Sequence, residues 1–134
     1  MKNFGYSPLT LEHFYSPRNV GKFDVERDFI GTGLVGKIER GDVVCIQLQV
    51  NTQAKVTDAK FKAYGSPATI AACSWLTEWV QNKDLAAIEQ LSGIEIADSL
   101  ELPPHKLSTA LLVETALKAA VVEARCKLTI IVAN

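Results

Sequence analysis

Val43-Val44-Cys45-Ile46-Gln47-Leu48-Gln49-Val50 is the stretch whose pattern decides the fold. Val44, Ile46, Leu48 and Val50 fall on one side of an extended chain, and Cys45, Gln47 and Gln49 on the other. A period of two with a single apolar face predicts a half-buried strand, hence a sheet with one wet face. Upstream, residues 29–38 also read as strand, punctuated by Gly31, Gly33 and Gly36, with Arg40-Gly41-Asp42 as the turn between the two. Downstream, Asn51-Thr52-Gln53 is a second turn, after which Ala59, Phe61 and Ala63 alternate with Lys60, Lys62 and Tyr64. Three strands joined by short turns predict an antiparallel meander.

Beyond Tyr64-Gly65 the apolar period becomes helical. Ser66 suits an N-cap and Pro67 the first helical position, so a helix is predicted from there to about Gln81. It would carry Trp75 and Trp79 on one face and Ile70, Cys73, Leu76 and Val80 on another. Short helices are expected over 84–92 and 94–100, then a rigid, extended break at Leu102-Pro103-Pro104. A last long helix is expected from Ser108 or Thr109, which would cap it, to about Cys126, with Glu114 and Lys118 as an i,i+4 ion pair. At the other end, Ser7-Pro8 opens a short helix with Leu9, Leu11, Phe14 and Tyr15 as its apolar stripe, and Ser16-Pro17 closes it. Residues 18–28 read as loop, and the apolar, β-branched tail 128–134 is left unassigned. Strands first and helices after predict one α+β domain over residues 1–134: a small three-stranded, mainly antiparallel sheet with helices packed on one face.

Composition narrows the function classes. The chain has 134 residues, 48% of them hydrophobic and 22% charged, with a net charge of −1. That is enough apolar material for a core, and no basic excess exists to hold nucleic acid. The start lacks an apolar signal-peptide segment, and the apolar runs are too short for a membrane span. Three cysteines, Cys45, Cys73 and Cys126, are too few and too far apart for a disulfide framework, which suits a reducing, cytoplasmic setting.

Chemistry-bearing motifs are sparse. Gly31-Thr32-Gly33-Leu34-Val35-Gly36 matches the dinucleotide fingerprint GxGxxG, but that fingerprint opens a helix, and the segment after it here is strand-like. Glycines in a twisted or bulged strand are the better account. His13 reads as a surface or packing residue, and Cys45 and Cys73 as small hydrophobes. No nucleophile stands beside a base, so the chain reads as a binding protein and not an enzyme.

Several segments together resemble one family. Tyr15-Ser16-Pro17-Arg18-Asn19-Val20-Gly21, Gly31 to Gly36, Gly41-Asp42-Val43, Phe61-Lys62-Ala63-Tyr64-Gly65, Thr77-Glu78-Trp79-Val80 and Leu102-Pro103-Pro104-His105-Lys106 are similar, in order, to the U-type iron–sulfur cluster scaffolds. This is the family of IscU and of the amino-terminal domain of NifU, and the likeness runs from about Tyr6 to Arg125. It implies a scaffold that receives sulfide from a cysteine desulfurase, assembles a 2Fe–2S cluster and hands it on with an Hsp70-type chaperone and its J-domain co-chaperone. It also implies soft thiolate ligands, the usual holders of such clusters.

This sequence departs from the family at the ligands. Arg40 stands where the first cysteine is expected and Ser66 where the second is. Ser108 and Thr109 occupy the positions of the histidine and the third cysteine, and only the acidic ligand survives, as Asp42. The implied reading is a scaffold-like adaptor or regulator of cluster biogenesis, with no stable cluster expected as cofactor. The alternative is a metal-binding protein with an altered, oxygen-rich site around Asp42, for which iron or zinc is the metal. Two readings of Arg40 stand level: a cation paired with Asp42 or Glu114 in place of a metal, or a solvated arginine in a turn. The segment Leu102-Pro103-Pro104-His105-Lys106 corresponds to the family's chaperone-recognition motif, with His105 in place of valine.

Overall fold

The computed structural model describes residues 5–24 and 29–133. Helix α1 (Pro8–Tyr15) is followed by strands β1 (Ile30–Lys37), β2 (Asp42–Val50) and β3 (Val56–Tyr64). Helices α2 (Pro67–Trp79), α3 (Leu85–Ile88), α4 (Gly93–Leu100) and α5 (Leu107–Ala133) complete the chain. The sheet has the order β1-β2-β3 with both pairings antiparallel. The predicted α+β architecture is therefore the observed one, although residues 25–28 of the expected loop, the start 1–4 and Asn134 lie outside the described residues.

The period-two reading of β2 holds in the register. Leu34, Cys45 and Lys62 lie abreast on the outer face, and Val44, Ile46 and Leu48 point inward with no exposed surface. They meet Cys73 and Leu76 of α2 and Val113, Leu117 and Ala120 of α5 in one core. Burying a side chain of this size contributes about 1.5–3 kcal/mol, which is what fixes the register.

The glycine run is explained by α5. A β-carbon on Gly31 or Gly33 would overlap the carbonyl oxygens of Ala120 and Ala116, so the helix backbone rides directly on β1. This close approach, and not a phosphate, is what the GxG of the fingerprint serves. The Thr32 amide at the margin of the sheet donates to Glu123 of α5 at 3.3 Å.

Two expectations are corrected, and the unassigned tail takes a structure. The tail is helical: α5 continues through the β-branched residues to Ala133, because its inner face still has core to cover, as the burial of Leu128 shows. Helix α1 begins as predicted, with Ser7 accepting from the Thr10 amide, but its buried residues are Thr10 and His13; Leu9 and Tyr15 are exposed. Polar burial succeeds there because each group finds a partner, Thr10 donating to the Leu100 carbonyl at 2.8 Å. The Leu102–Lys106 segment is not extended throughout: Pro104–Lys106 is a 3-10 turn that runs straight into α5, closed by the Lys106 amide donating to the Pro103 carbonyl.

His13 ties α1 to α2. Its Nδ1 lies 3.2 Å from the Arg18 guanidinium and 2.7 Å from the Ser74 hydroxyl, and its Nε2 lies 3.8 Å from Glu78. Burial, reinforced by the Arg18 charge, pushes the imidazole below its ordinary value of 6.5, against the opposing pull of Glu78 and Glu12. The folded state prefers the neutral ring, so this contribution is intact above the ordinary value and is lost as pH falls below it. The wild type is expected to lose thermal stability between neutral pH and about pH 5, and His13→Gln to lose less over the same range. Equal slopes in a pH series of melting curves would remove His13 from that account. Glu114 acts in a separate, more acid window, since hydrogen bonds from Lys118 and the Gly93 amide hold its carboxyl below 4.5.

Candidate functional site

Four chain segments converge at one end of the sheet. The β1–β2 connection is a 3-10 turn, Ile38–Arg40, ended by Gly41 at φ +89. Asp42 is the first residue of β2, Gly65-Ser66 joins β3 to α2, and Ser108 and Thr109 lie in the first turn of α5. A cavity of about 370 Å³ opens between the β1–β2 connection, the start of β2 and the start of α5, lined by Gly36, Lys37, Arg40, Asp42, Ser108 and Leu112.

Asp42 is the hub. Its Oδ1 accepts from the Thr69 hydroxyl at 2.6 Å, and Thr69 Oγ1 lies 3.3 Å from Ser66 Oγ. A β-carbon on Gly65 would collide with that same Asp42 oxygen, which explains the glycine after Tyr64. Arg40 makes no ion pair with Asp42 or Glu114; it is an exposed residue of the turn. Of the two readings of Arg40, the geometry supports the solvated one. Glu114 is engaged elsewhere, by Lys118 and by the amino end of α4.

Two capping expectations fail. Ser66 sits at the N-cap of α2, but its side chain caps no amide; the hydroxyl turns to Thr69 instead. Ser108 and Thr109 are inside the helix, because the 3-10 turn before them carries helical geometry back to Leu107. Ser66→Ala is therefore expected to cost under about 0.5 kcal/mol, whereas Thr69→Val, which strips a buried hydrogen bond from a carboxylate, is expected to cost about 1.5–3 kcal/mol. Urea denaturation of both variants checks the order; a larger loss for Ser66→Ala would restore the cap.

The cysteines do not assemble here as a set. Cys73 is fully buried in α2, and burial drives its thiol far above the ordinary range, with the nearby Cys45 and Asp42 adding to the shift. Cys45 lies on the outer face of β2, its thiol raised by burial against the lowering pull of Lys22 and Lys62. Cys126 is exposed on α5. Among the described residues, no three of His, Cys, Asp and Glu are grouped closely enough to hold a metal ion. His105 and Lys106 lie in the turn before α5, and Leu102 packs against the core.

Sequence reasoning missed Thr69 and Lys37. Thr69 follows Ser66 by three positions, a spacing that places both on one side of the first helical turn, but its bond to Asp42 spans 27 residues and appears only when β2 and α2 dock. Lys37 ends β1 and was legible only as a strand residue.

Comparison with known proteins bears on the family and the fold. The sequence pattern described as NifU-like N terminal domain matches residues 5–129. The chain is 41% identical over 122 residues to the iron-sulfur cluster assembly scaffold protein IscU of Escherichia coli K12, covering 91% of this chain and 95% of that protein. It is 44% identical over 116 residues to IscU of Azotobacter vinelandii, covering 87% and 91%. Among solved structures, the N-terminal part of a nitrogen-fixing NifU-like protein from Brucella abortus superposes with a TM-score of 0.66 at 18% identity, over 91% of this chain and 92% of that one. FiSufU from Fervidobacterium islandicum AW-1 gives 0.67 at 16% identity, over 90% and 99%. The sheet, the helices on its inner face and the collinear match to these scaffolds lead to one conclusion: the chain belongs to the family of NifU-like N-terminal domains.

Proposed function

We propose that this protein works in iron–sulfur cluster assembly as a scaffold-family member that does not hold a conventional 2Fe–2S cluster and serves as an adaptor or regulator. The pathway is supported by relatives named as IscU scaffolds, which match nine-tenths of the chain at 41% identity. One observation carries the departure. Arg40, Ser66, Ser108 and Thr109 stand at the matched ligand positions, and the retained carboxylate, Asp42, is already bonded to Thr69. Arginine, serine and threonine supply no thiolate or imidazole, and two cations, Lys37 and Arg40, line the same cavity and repel a ferrous ion. An altered metal site around Asp42 is not favoured, since one of its oxygens is occupied and another acidic candidate, Glu114, is held by Lys118.

In this reading the protein is a binding partner and not an enzyme. The partners are a cysteine desulfurase and an Hsp70-type chaperone with its J-domain co-chaperone, the latter pair engaging Leu102, Pro103, Pro104, His105 and Lys106. Capture of that segment in an extended form would unwind the 3-10 turn and undock Leu102, so weaker binding than an exposed peptide is expected. No helix among the described residues is long and apolar enough to cross a membrane. The test is a titration against the host's chaperone and desulfurase. Lys106→Ala is expected to weaken chaperone binding about tenfold, roughly 1.4 kcal/mol. If neither partner binds, and deletion leaves growth under iron limitation unchanged, the adaptor reading fails.

A further inference from the structure

We infer that the cavity between the β1–β2 turn and the start of α5 is an anion site that takes a small oxyanion of the phosphate or carboxylate class. Lys37 and Arg40 both line it, and neither makes a salt bridge among the described residues. They stand at the two ends of one short turn, flanked by Gly36 at φ +100 and Gly41 at φ +89. The backbone of the turn is already ordered, so binding has only the two side chains to order. Arg40 brings a planar fork of N–H donors suited to two oxygens of one anion, and Lys37 a compact charge.

Two further groups favour the same ligand. Ser108 lines the cavity as well, and it lies near the amino-terminal end of α5, a 27-residue helix whose dipole is positive at that end. The opposing groups are Asp42, which lines the cavity, and Glu39, exposed in the turn but outside the lining. Asp42 is partly satisfied by the Thr69 hydroxyl, so the formal charge of the lining is one positive unit, to which the helix adds. The cavity's 370 Å³ is at the small end for ligand sites, which fits an oxyanion or a single carboxylate side chain. Where the family gathers thiolates around a cation, this chain gathers cations around a space.

This inference goes beyond the proposed pathway role and stands or falls separately, because its test needs no partner protein. The full-length protein, labelled with nitrogen-15, is titrated with inorganic phosphate and, in a second arm, with acetate, ionic strength being held constant with chloride. Saturable amide shifts are expected at Lys37, Gly41, Asp42 and Ser108. Saturation by both salts assigns the site to oxyanions in general, including a carboxylate on a partner; saturation by phosphate alone assigns it to phosphate. Arg40→Ala, an exposed change that circular dichroism should show to be folded, is expected to weaken phosphate binding at least about fivefold. Asp42→Asn, which keeps an acceptor for Thr69 and removes the opposing charge, is expected to tighten it about threefold. A metal site would respond to that variant in the opposite sense. The inference is overturned if chloride alone reproduces the shifts, if they map elsewhere, or if Arg40→Ala leaves the affinity unchanged.

Discussion

Gly33→Ala is expected to destabilise the protein by about 3 kcal/mol or more, the upper end of what overpacking a core costs. The new β-carbon would fall inside the Ala116 carbonyl oxygen and press on the Ala120 amide, both helix backbone. A flexible side chain could swing aside; a helix that also covers Gly31 at Ala120 and Ala124 cannot move from one contact without opening the other. Either β1 bends and loses its pairing with Ile46, or α5 lifts off the core. Gly41→Ala is the matched control. Its β-carbon meets open space, and only the left-handed backbone at φ +89 penalises it, by about 1–2 kcal/mol. Chemical denaturation of the two variants separates close approach from backbone strain. Comparable losses would mean that α5 does not ride on β1 as described.

The second large effect is a gain. With iron, sulfide and a desulfurase, the wild type is expected to leave no visible charge-transfer bands after desalting. The combined variant Arg40→Cys, Ser66→Cys, Thr109→Cys is expected to keep them. Arg40 lines the cavity with Asp42, Ser66 reaches Asp42 through Thr69, and Thr109 is the buried neighbour of Ser108, which lines the cavity. Thiolates at these places would supply the soft donors that iron–sulfur chemistry requires, and removing Arg40 removes a repelling charge at the same time. Single replacements are expected to fail, because one thiolate cannot hold a two-iron cluster. Persistent bands in the wild type that disappear in Cys45→Ser or Cys73→Ser would show that substitute thiolates exist. That outcome would end the reading of the chain as free of a conventional cluster.

The sheet and α2 were legible because their signals are local. The alternation in β2 states which face is buried, and Ser66-Pro67 marks a helix start whether or not the hydroxyl caps it. What the sequence concealed depended on docking. The true bond of Asp42 joins β2 to α2, the meaning of Gly31 and Gly33 lies in α5 some 85 residues away, and the buried face of α1 is polar because Ser74 and Leu100 complete it. The length of α5 was hidden by β-branched residues whose weak helix propensity is overruled by packing. The candidate site was legible as a set of positions through resemblance to a family, while its charge and its internal hydrogen bonds appeared only in three dimensions.

Glu123 has a further role that follows from where it points. Strand β1 is one of the two edge strands of the sheet, and its Thr32 amide is answered by the Glu123 carboxylate of α5. A stray extended chain seeking to add itself to this sheet would have to displace that carboxylate and strand its charge beside a β-ladder. Lys37 at the far end of β1 sets a second obstacle of opposite sign, and Leu34, 67% exposed between them, is the apolar lure they flank. The margin of the sheet is thus chemically guarded against a stray strand.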